Sequence, residues 1–169
     1  MPAAGTQWPA TAGGNCNTVR LLDLSQPGAA RRALRLQRRA YRREARLIGY
    51  RRIPALREKA SDLLHSGESF LLCYQGRRLA GLLSWRPRGR WAEICRLVVD
   101  PRCWRRGLAG ELLAALEARE AGELRVATAA ANAPALAFYR KHGFRPLRRW
   151  RTPDGLELRS LCRPGSTAR

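Results

Sequence analysis

The chain has 169 residues, 45% of them hydrophobic and 27% charged, which fits one soluble globular domain with a sizeable core. Its formal net charge is +20, and of its 33 basic residues only Lys59 and Lys141 are lysine. The five cysteines include no CxxC pair, which argues against a disulfide framework or a zinc site, and no run reaches the ~18 apolar residues of a membrane span.

Residues 1–17 are small, polar and Gly/Pro-containing, and are expected to form a disordered tail. They carry neither a charged side chain nor an apolar run, so no secretory leader is expected there. The folded domain is expected over 18–163, with a short tail at 164–169. "VRLLDL" reads as a strand. Ser25 can cap and Pro27 suits a first turn, so a long helix is expected from there to about Ile48. Its apolar positions include Leu34, Tyr41, Ala45 and Ile48, and arginines fill the other faces. After Ile53-Pro54 a second helix is expected to about His65, stopped by Gly67.

"SFLLCYQ" and "RLAGLLSW" read as a hairpin around Gln75-Gly76, and "RWAEICRLVVD" as a further strand. "GLAGELLAALEARE" is a helix with Leu108, Leu112, Leu113 and Leu116 on one face. "ELRVATA" is a strand and "APALAFYRKHG" a helix closed by Gly143. "FRPLRRW" and "LELRSLC" make a last hairpin around Pro153-Asp154-Gly155. The order βααβββαβαββ implies an α/β (α+β) fold, with one parallel pair inside a mainly antiparallel sheet.

Chemistry concentrates in "VVDPRCWRRGLAGELL". A strand runs through Asp100-Pro101 into a basic loop, and a helix opens at Gly107. Free N–H groups in the first helical turn, the positive end of the helix and Arg105 and Arg106 together suit a phosphate group. Gly107 allows close backbone approach, and Leu108, Ala109 and Gly110 continue the cradle.

"VDPRCWRRGLAG" and "NAPALAFYRKHGF" together resemble the two signatures of the GCN5-related N-acetyltransferase (GNAT) superfamily, and the element order resembles it from about residue 19 to 163. In the second signature Asn132, Ala135, Tyr139, Gly143 and Phe144 all match. The resemblance implies a mixed sheet with one parallel strand pair splayed at the cofactor site and about four flanking helices. It implies a small bacterial acyltransferase that moves acetyl from acetyl-CoA directly to a primary amine within a ternary complex. Leu97, Val98 and Val99 would meet the pantetheine by their backbone, and Arg105 to Gly110 would hold the pyrophosphate. Asn132 would contact the cofactor, and Tyr139 would protonate the departing thiolate.

Two departures stand out. Trp104 occupies the Gln/Arg position of the first signature, and Ala127 stands where some relatives carry a glutamate base. Glu93 is the candidate base: on a period-two reading it shares a face with Cys95, Leu97 and Val99. His65 and His142 have no clear partners for a triad, and Cys95 and Cys103 read as packing or loop thiols. Cysteine usage points to the cytoplasm. A monomer or homodimer with acetyl-CoA and an amine as partners is expected, with no metal and no membrane. The net charge leaves two readings open, a polyanionic partner such as nucleic acid or a genome rich in arginine codons. A nucleic-acid-binding or acyl-CoA-sensing protein on the same scaffold is the alternative function.

Overall fold

The computed structural model describes residues 17–165. Of the tails expected at 1–17 and 164–169, residues 1–16, Cys16 among them, and 166–169 lie outside the described residues. Asn17, expected in the tail, opens β1 (Asn17–Leu21), where it pairs with Gln75 and donates from Nδ2 to Glu111 at 2.8 Å.

Helix α1 spans Ala29–Ile48. Ser25 does not cap it: its hydroxyl and its N–H both bond the Asp23 carboxylate, at 2.6 and 2.9 Å, and Gly28 is the N-cap. The second expected helix is divided. A 3-10 turn at Pro54–Leu56 is followed by α2 (Ala60–Leu64), which starts where the Asp62 carboxylate accepts the Lys59 N–H at 2.7 Å. That local cap competes with a continuous helical ladder and restarts the helix.

The remaining elements follow the expected order: β2 (Ser69–Gln75), β3 (Arg78–Arg88), β4 (Trp91–Val99), α3 (Leu108–Glu117), β5 (Glu123–Ala129), α4 (Ala133–Lys141), β6 (Arg145–Arg151) and β7 (Glu157–Arg163). The seven strands form one sheet in the order β1-β2-β3-β4-β5-β7-β6. Every neighbouring pair is antiparallel except β4 and β5, which are parallel.

Two apolar layers sandwich the sheet. Leu36 and Ala40 of α1 pack with Phe70, Leu72, Leu82 and Val98 on one face. On the other, Leu108, Leu112, Leu113 and Leu116 of α3 are almost fully buried, as their spacing requires, against Leu71, Leu83 and Ile94. Leu136 and Tyr139 of α4 join this second layer. Each fully buried leucine contributes ~1.5–3 kcal/mol of apolar burial, which holds α3 and the loop before it against the sheet.

Candidate active site

The site begins with a defect in the sheet. β4 pairs with β5 only from Trp91·Glu123 to Ile94·Val126. Its pairing with β3 slips there too: Trp85 faces Ile94, Ser84 faces Arg96, and Cys95 is left over as a bulge. A bulge bends its strand and turns the pleat. Past it, Leu97, Val98 and Val99 stay paired with Leu83, Leu82 and Gly81 of β3 and have no partner on the β5 side. Arg96 anchors the bent segment. It is 8% exposed and bonds Glu68 at 2.8 and 3.0 Å, Gln37 of α1 at 2.9 Å and Glu58 at 2.5 Å. The result is an open slot edged by strand backbone, of the kind an extended ligand can enter as an added strand.

Residues from both layers meet at the slot. Asn132 caps α4, its Oδ1 accepting the Ala135 N–H at 3.1 Å. Tyr139 is 5% exposed, packed edge-on against Phe138 and Phe144 with ring centres 5.3 and 5.2 Å away. Burial pushes its hydroxyl above the ordinary tyrosine range, and Tyr41 and Glu44 of α1 add to the effect. Tyr41 is raised in the same way, chiefly by burial and then by Glu44. Burial also raises the Glu44 carboxyl above the usual range, while the Asn132 side chain pulls it back by hydrogen bonding. Glu44 borders the slot beside Leu97, Val98 and Val99 and also the adjoining cavity beside Ala127 and Tyr139.

That cavity, about 580 Å³, opens between the segment after α1 and the β6–β7 hairpin. Tyr50, Arg52 and Arg57 line it on one side, Thr152, Asp154 and Leu156 on the other. The Tyr50 hydroxyl donates to the Asp154 carboxylate and ties the two sides together.

At the other end of the slot lies the basic loop. Pro101–Cys103 forms a 3-10 turn, with the Asp100 carboxylate accepting the Arg102 N–H at 3.1 Å. Trp104 donates from its indole to the Val99 carbonyl at 3.1 Å, and the Arg43 guanidinium lies 5.8 Å from its ring centre. Arg105 and Gly107 both take positive φ, 61° and 80°. Gly107 is the N-cap of α3, and no atom lies within 4 Å of where its Cβ would be, so the space before the helix is open. Glu111 is the first residue of α3 to donate back to the loop, to the Gly107 carbonyl. The N–H groups of Leu108, Ala109 and Gly110 precede that first bond. Arg106 is held by Gln75 at 2.6 Å. Gly110 has a packing role as well, since a Cβ there would sit 3.4 Å from the His142 ring.

Leu97, Val98, Val99 and Asn132 thus line the slot, Tyr139 lines the adjoining cavity with Leu97 and Asn132, and the loop Arg105 to Gly110 follows Trp104, which borders the slot. The structure does not bring Glu93 to them. The leftover residue at Cys95 inverts the alternation: Ile94 is opposite Trp85 and Leu97 opposite Leu83, all in the α3 layer, while Glu93 is opposite Arg86 and Arg96 opposite Ser84 on the other face. Glu93 is partly exposed and pairs with Arg88 at 3.0 Å. The expected shared face with Leu97 and Val99 is therefore corrected. Cys95 itself is a poor nucleophile, since burial pushes its thiol up to about 11. His65 bonds Ser61, and His142 bonds Phe138 and stacks on its ring at 4.2 Å.

Sequence reasoning missed Glu44. A signal was present: it is the one acid in a helix crowded with arginines, and 3.6-residue spacing puts it with the buried Gln37 and Ala40, away from them.

The acetyltransferase (GNAT) family model matches residues 31–144. UPF0157 protein YqkA of Bacillus subtilis is 33% identical over 142 residues, which is 83% of this chain. The chain spans 41% of the length of that relative. The ribosomal-protein-S18-alanine N-acetyltransferase of Escherichia coli superposes with a TM-score of 0.69 at 22% identity, covering 90% of this chain and 96% of that one. The PaiA N-acetyltransferase of Thermoplasma acidophilum, solved in complex with coenzyme A, gives 0.67 at 19% identity over 85% of this chain and 97% of that one. With the family match spanning both signatures, the splayed parallel pair and the loop at the start of α3, the chain belongs to the acetyltransferase (GNAT) family, whose members use acetyl-CoA as co-substrate.

Proposed function

We propose that the protein transfers acetyl from acetyl-CoA directly to a primary amine, with both substrates bound at once. The observation that carries this reading is the slot past Ile94·Val126 with the cavity adjoining it, where Asn132 and Glu44 border both and Tyr139 borders the cavity. The residues fit acetyl-CoA: backbone at Leu97–Val99 that no β5 residue pairs, its Val99 carbonyl held by Trp104, for the pantetheine amides, and the open, basic start of α3 at Arg105–Gly110 for the pyrophosphate. Acetyl-CoA supplies an activated acyl group and a thiolate leaving group.

The amine occupies the cavity whose two sides the Tyr50–Asp154 contact bridges. A protonated amine, with pKa ~10, attacks only after it loses a proton. Glu44, rather than Glu93, is the group we assign to take that proton. Its raised pKa makes it a stronger base than an ordinary carboxylate, and it borders both slot and cavity. As the new C–N bond forms and the C–S bond breaks, Tyr139 gives its proton to sulfur. Glu44 holds the proton from nitrogen, and exchange with solvent resets both groups. We take the cytoplasm as the compartment, where thiols such as Cys73, Cys95, Cys103 and Cys162 stay reduced. Among the described residues no helix is long and apolar enough to cross a membrane.

The test is release of free coenzyme A thiol from acetyl-CoA when amines are supplied, with mass spectrometry of the acetylated product. No amine-dependent release from any small-molecule, peptide or protein pool would overturn the reading. Glu44→Gln should lower the rate at pH 7 by about tenfold to 10²-fold and recover much of it near pH 10, where the amine is already neutral. The same variant should be more heat-stable at pH 7. A carboxyl whose folded pKa is raised contributes stability below its unfolded pKa and loses it as pH rises through the folded value, so at neutral pH the buried charge is a cost that Gln removes. A rate loss that is flat with pH would sink the base assignment.

Trp104 gives a local reporter. Its indole holds the Val99 carbonyl, which is among the groups we assign to the pantetheine. Acetyl-CoA should change the protein's tryptophan emission, and Trp104→Phe should abolish most of that change. An unaltered signal in Trp104→Phe would place the bound cofactor away from this carbonyl.

A further inference from the structure

The arginines of α1 are not spread around it. Arg31, Arg32, Arg35, Arg42, Arg43 and Arg46 are all exposed. With Arg38 and Arg39, and at 3.6 residues per turn, they fall within an arc of about 140° and run about 22 Å along the helix. The only acid on α1, Glu44, lies off this face, and Arg43 and Arg46 of the face border the slot beside it. Among the described residues the one ion pair made by an α1 arginine is Arg39–Asp100, at 3.4 Å. Arg38 is tied to the Glu58 carbonyl at 2.8 Å.

This arrangement costs the isolated domain stability. Arg31/Arg35, Arg38/Arg42 and Arg42/Arg46 are like charges one turn apart, each pair unfavourable by a few tenths of a kcal/mol. Arg31 and Arg32 sit in the first turn, where the helix end is already positive and no acid offsets them. A codon bias toward arginine would account for the number of arginines. It does not explain why none of these is matched by an acid on the same face.

Beside the stripe is a groove with Ala45 and Leu56 among its lining and Arg42, Arg46 and Arg51 around it. Apolar surface flanked by guanidinium forks suits a sugar or base edge with its phosphates engaged alongside. We propose that the α1 arginine face is a docking surface for the phosphodiester backbone of a nucleic acid. Ile48 and Tyr50, just past the end of the stripe, line the cavity that we assign to the amine, so a docked nucleic acid would lie beside the incoming acceptor. The docking itself does not depend on the acetyl transfer.

The test uses the full chain without acetyl-CoA and fluorescence anisotropy with a labelled 20-nucleotide single-stranded RNA and with a DNA duplex of matching sequence. The two arms distinguish single-stranded from duplex backbone as the source of the phosphates. Binding should weaken steeply with salt, with a log–log slope of about −4 for the single strand if the six exposed arginines each meet a phosphate. Arg31→Gln/Arg35→Gln/Arg42→Gln should reduce the magnitude of that slope by about 2 and lower affinity at least tenfold at 100 mM salt. Arg77→Gln/Arg140→Gln/Arg145→Gln removes the same charge from exposed positions elsewhere and should change the slope by less than about 1. Glutamine keeps good helix propensity, and circular dichroism verifies that both variants fold. Equal losses from the two triple variants would mean diffuse net charge and would overturn the proposal. So would an absence of binding at 50 mM salt, or displacement of the RNA by polyglutamate at equal charge concentration, which would point to an acidic protein instead.

Discussion

Replacing Tyr139 by Phe should lower kcat by ~10²-fold or more and leave acetyl-CoA affinity nearly unchanged. The substitution removes one hydroxyl and keeps the ring, so the edge-on contacts with Phe138 and Phe144 persist and the second apolar layer stays closed. The hydroxyl suits a proton donor because burial, Tyr41 and Glu44 all hold it in the protonated form. It therefore keeps its proton across the working pH range and releases it only as negative charge develops on sulfur. The defect should persist from pH 6 to 10, unlike that of Glu44→Gln, because raising the pH supplies a neutral amine and not an acid. Stopped-flow or steady-state thiol release, with isothermal titration for affinity, checks both halves. Wild-type turnover in Tyr139→Phe would remove the residue from the mechanism, and a matching loss of acetyl-CoA affinity would make it a binding residue.

Gly107→Glu should abolish measurable acetyl-CoA binding in a folded protein. The residue takes φ 80° at the N-cap of α3, and nothing lies within 4 Å of a Cβ there. A side chain is therefore strained by about 1 kcal/mol or somewhat more but meets no clash, which the core of α3 can absorb. The new carboxylate would lie at the positive end of the helix, where we place the pyrophosphate. Gly107→Ala separates the two effects. It carries the same backbone strain without the charge, and should keep acetyl-CoA binding within about tenfold of wild type. Equal loss in both variants would make the effect one of backbone geometry, and normal affinity in Gly107→Glu would move the phosphate site elsewhere.

Much of the architecture was legible along the chain. The alternation of apolar residues, the turn residues at Gln75-Gly76 and Pro153–Gly155, and the leucine face of α3 are local signals, and the elements they announce are those observed. The loop from Asp100 to Gly110 was legible for the same reason: a helix start after a strand creates free N–H groups whatever surrounds it. The helix expected up to His65 was not, because the Lys59–Asp62 cap outweighed its periodicity.

The residue we assign as proton acceptor is one that tertiary structure alone singles out. A period-two reading carries a residue's face forward only while the pleat is unbroken. One leftover residue at Cys95 turned every later side chain of β4 over, so Glu93 went to Arg88 and Arg96 went to Glu58, Glu68 and Gln37. No local feature of "EICRLVV" marks that bulge, since it is set by the register with β3 and by where a buried arginine finds its partners. Glu44 reached the slot in the same non-local way, from a helix far earlier in the chain packed on the opposite face of the sheet from Tyr139. Sequence spacing could place each residue on its own element. Only the opening between β4 and β5 let the two layers meet through the sheet and put a carboxylate and a tyrosine hydroxyl at one site.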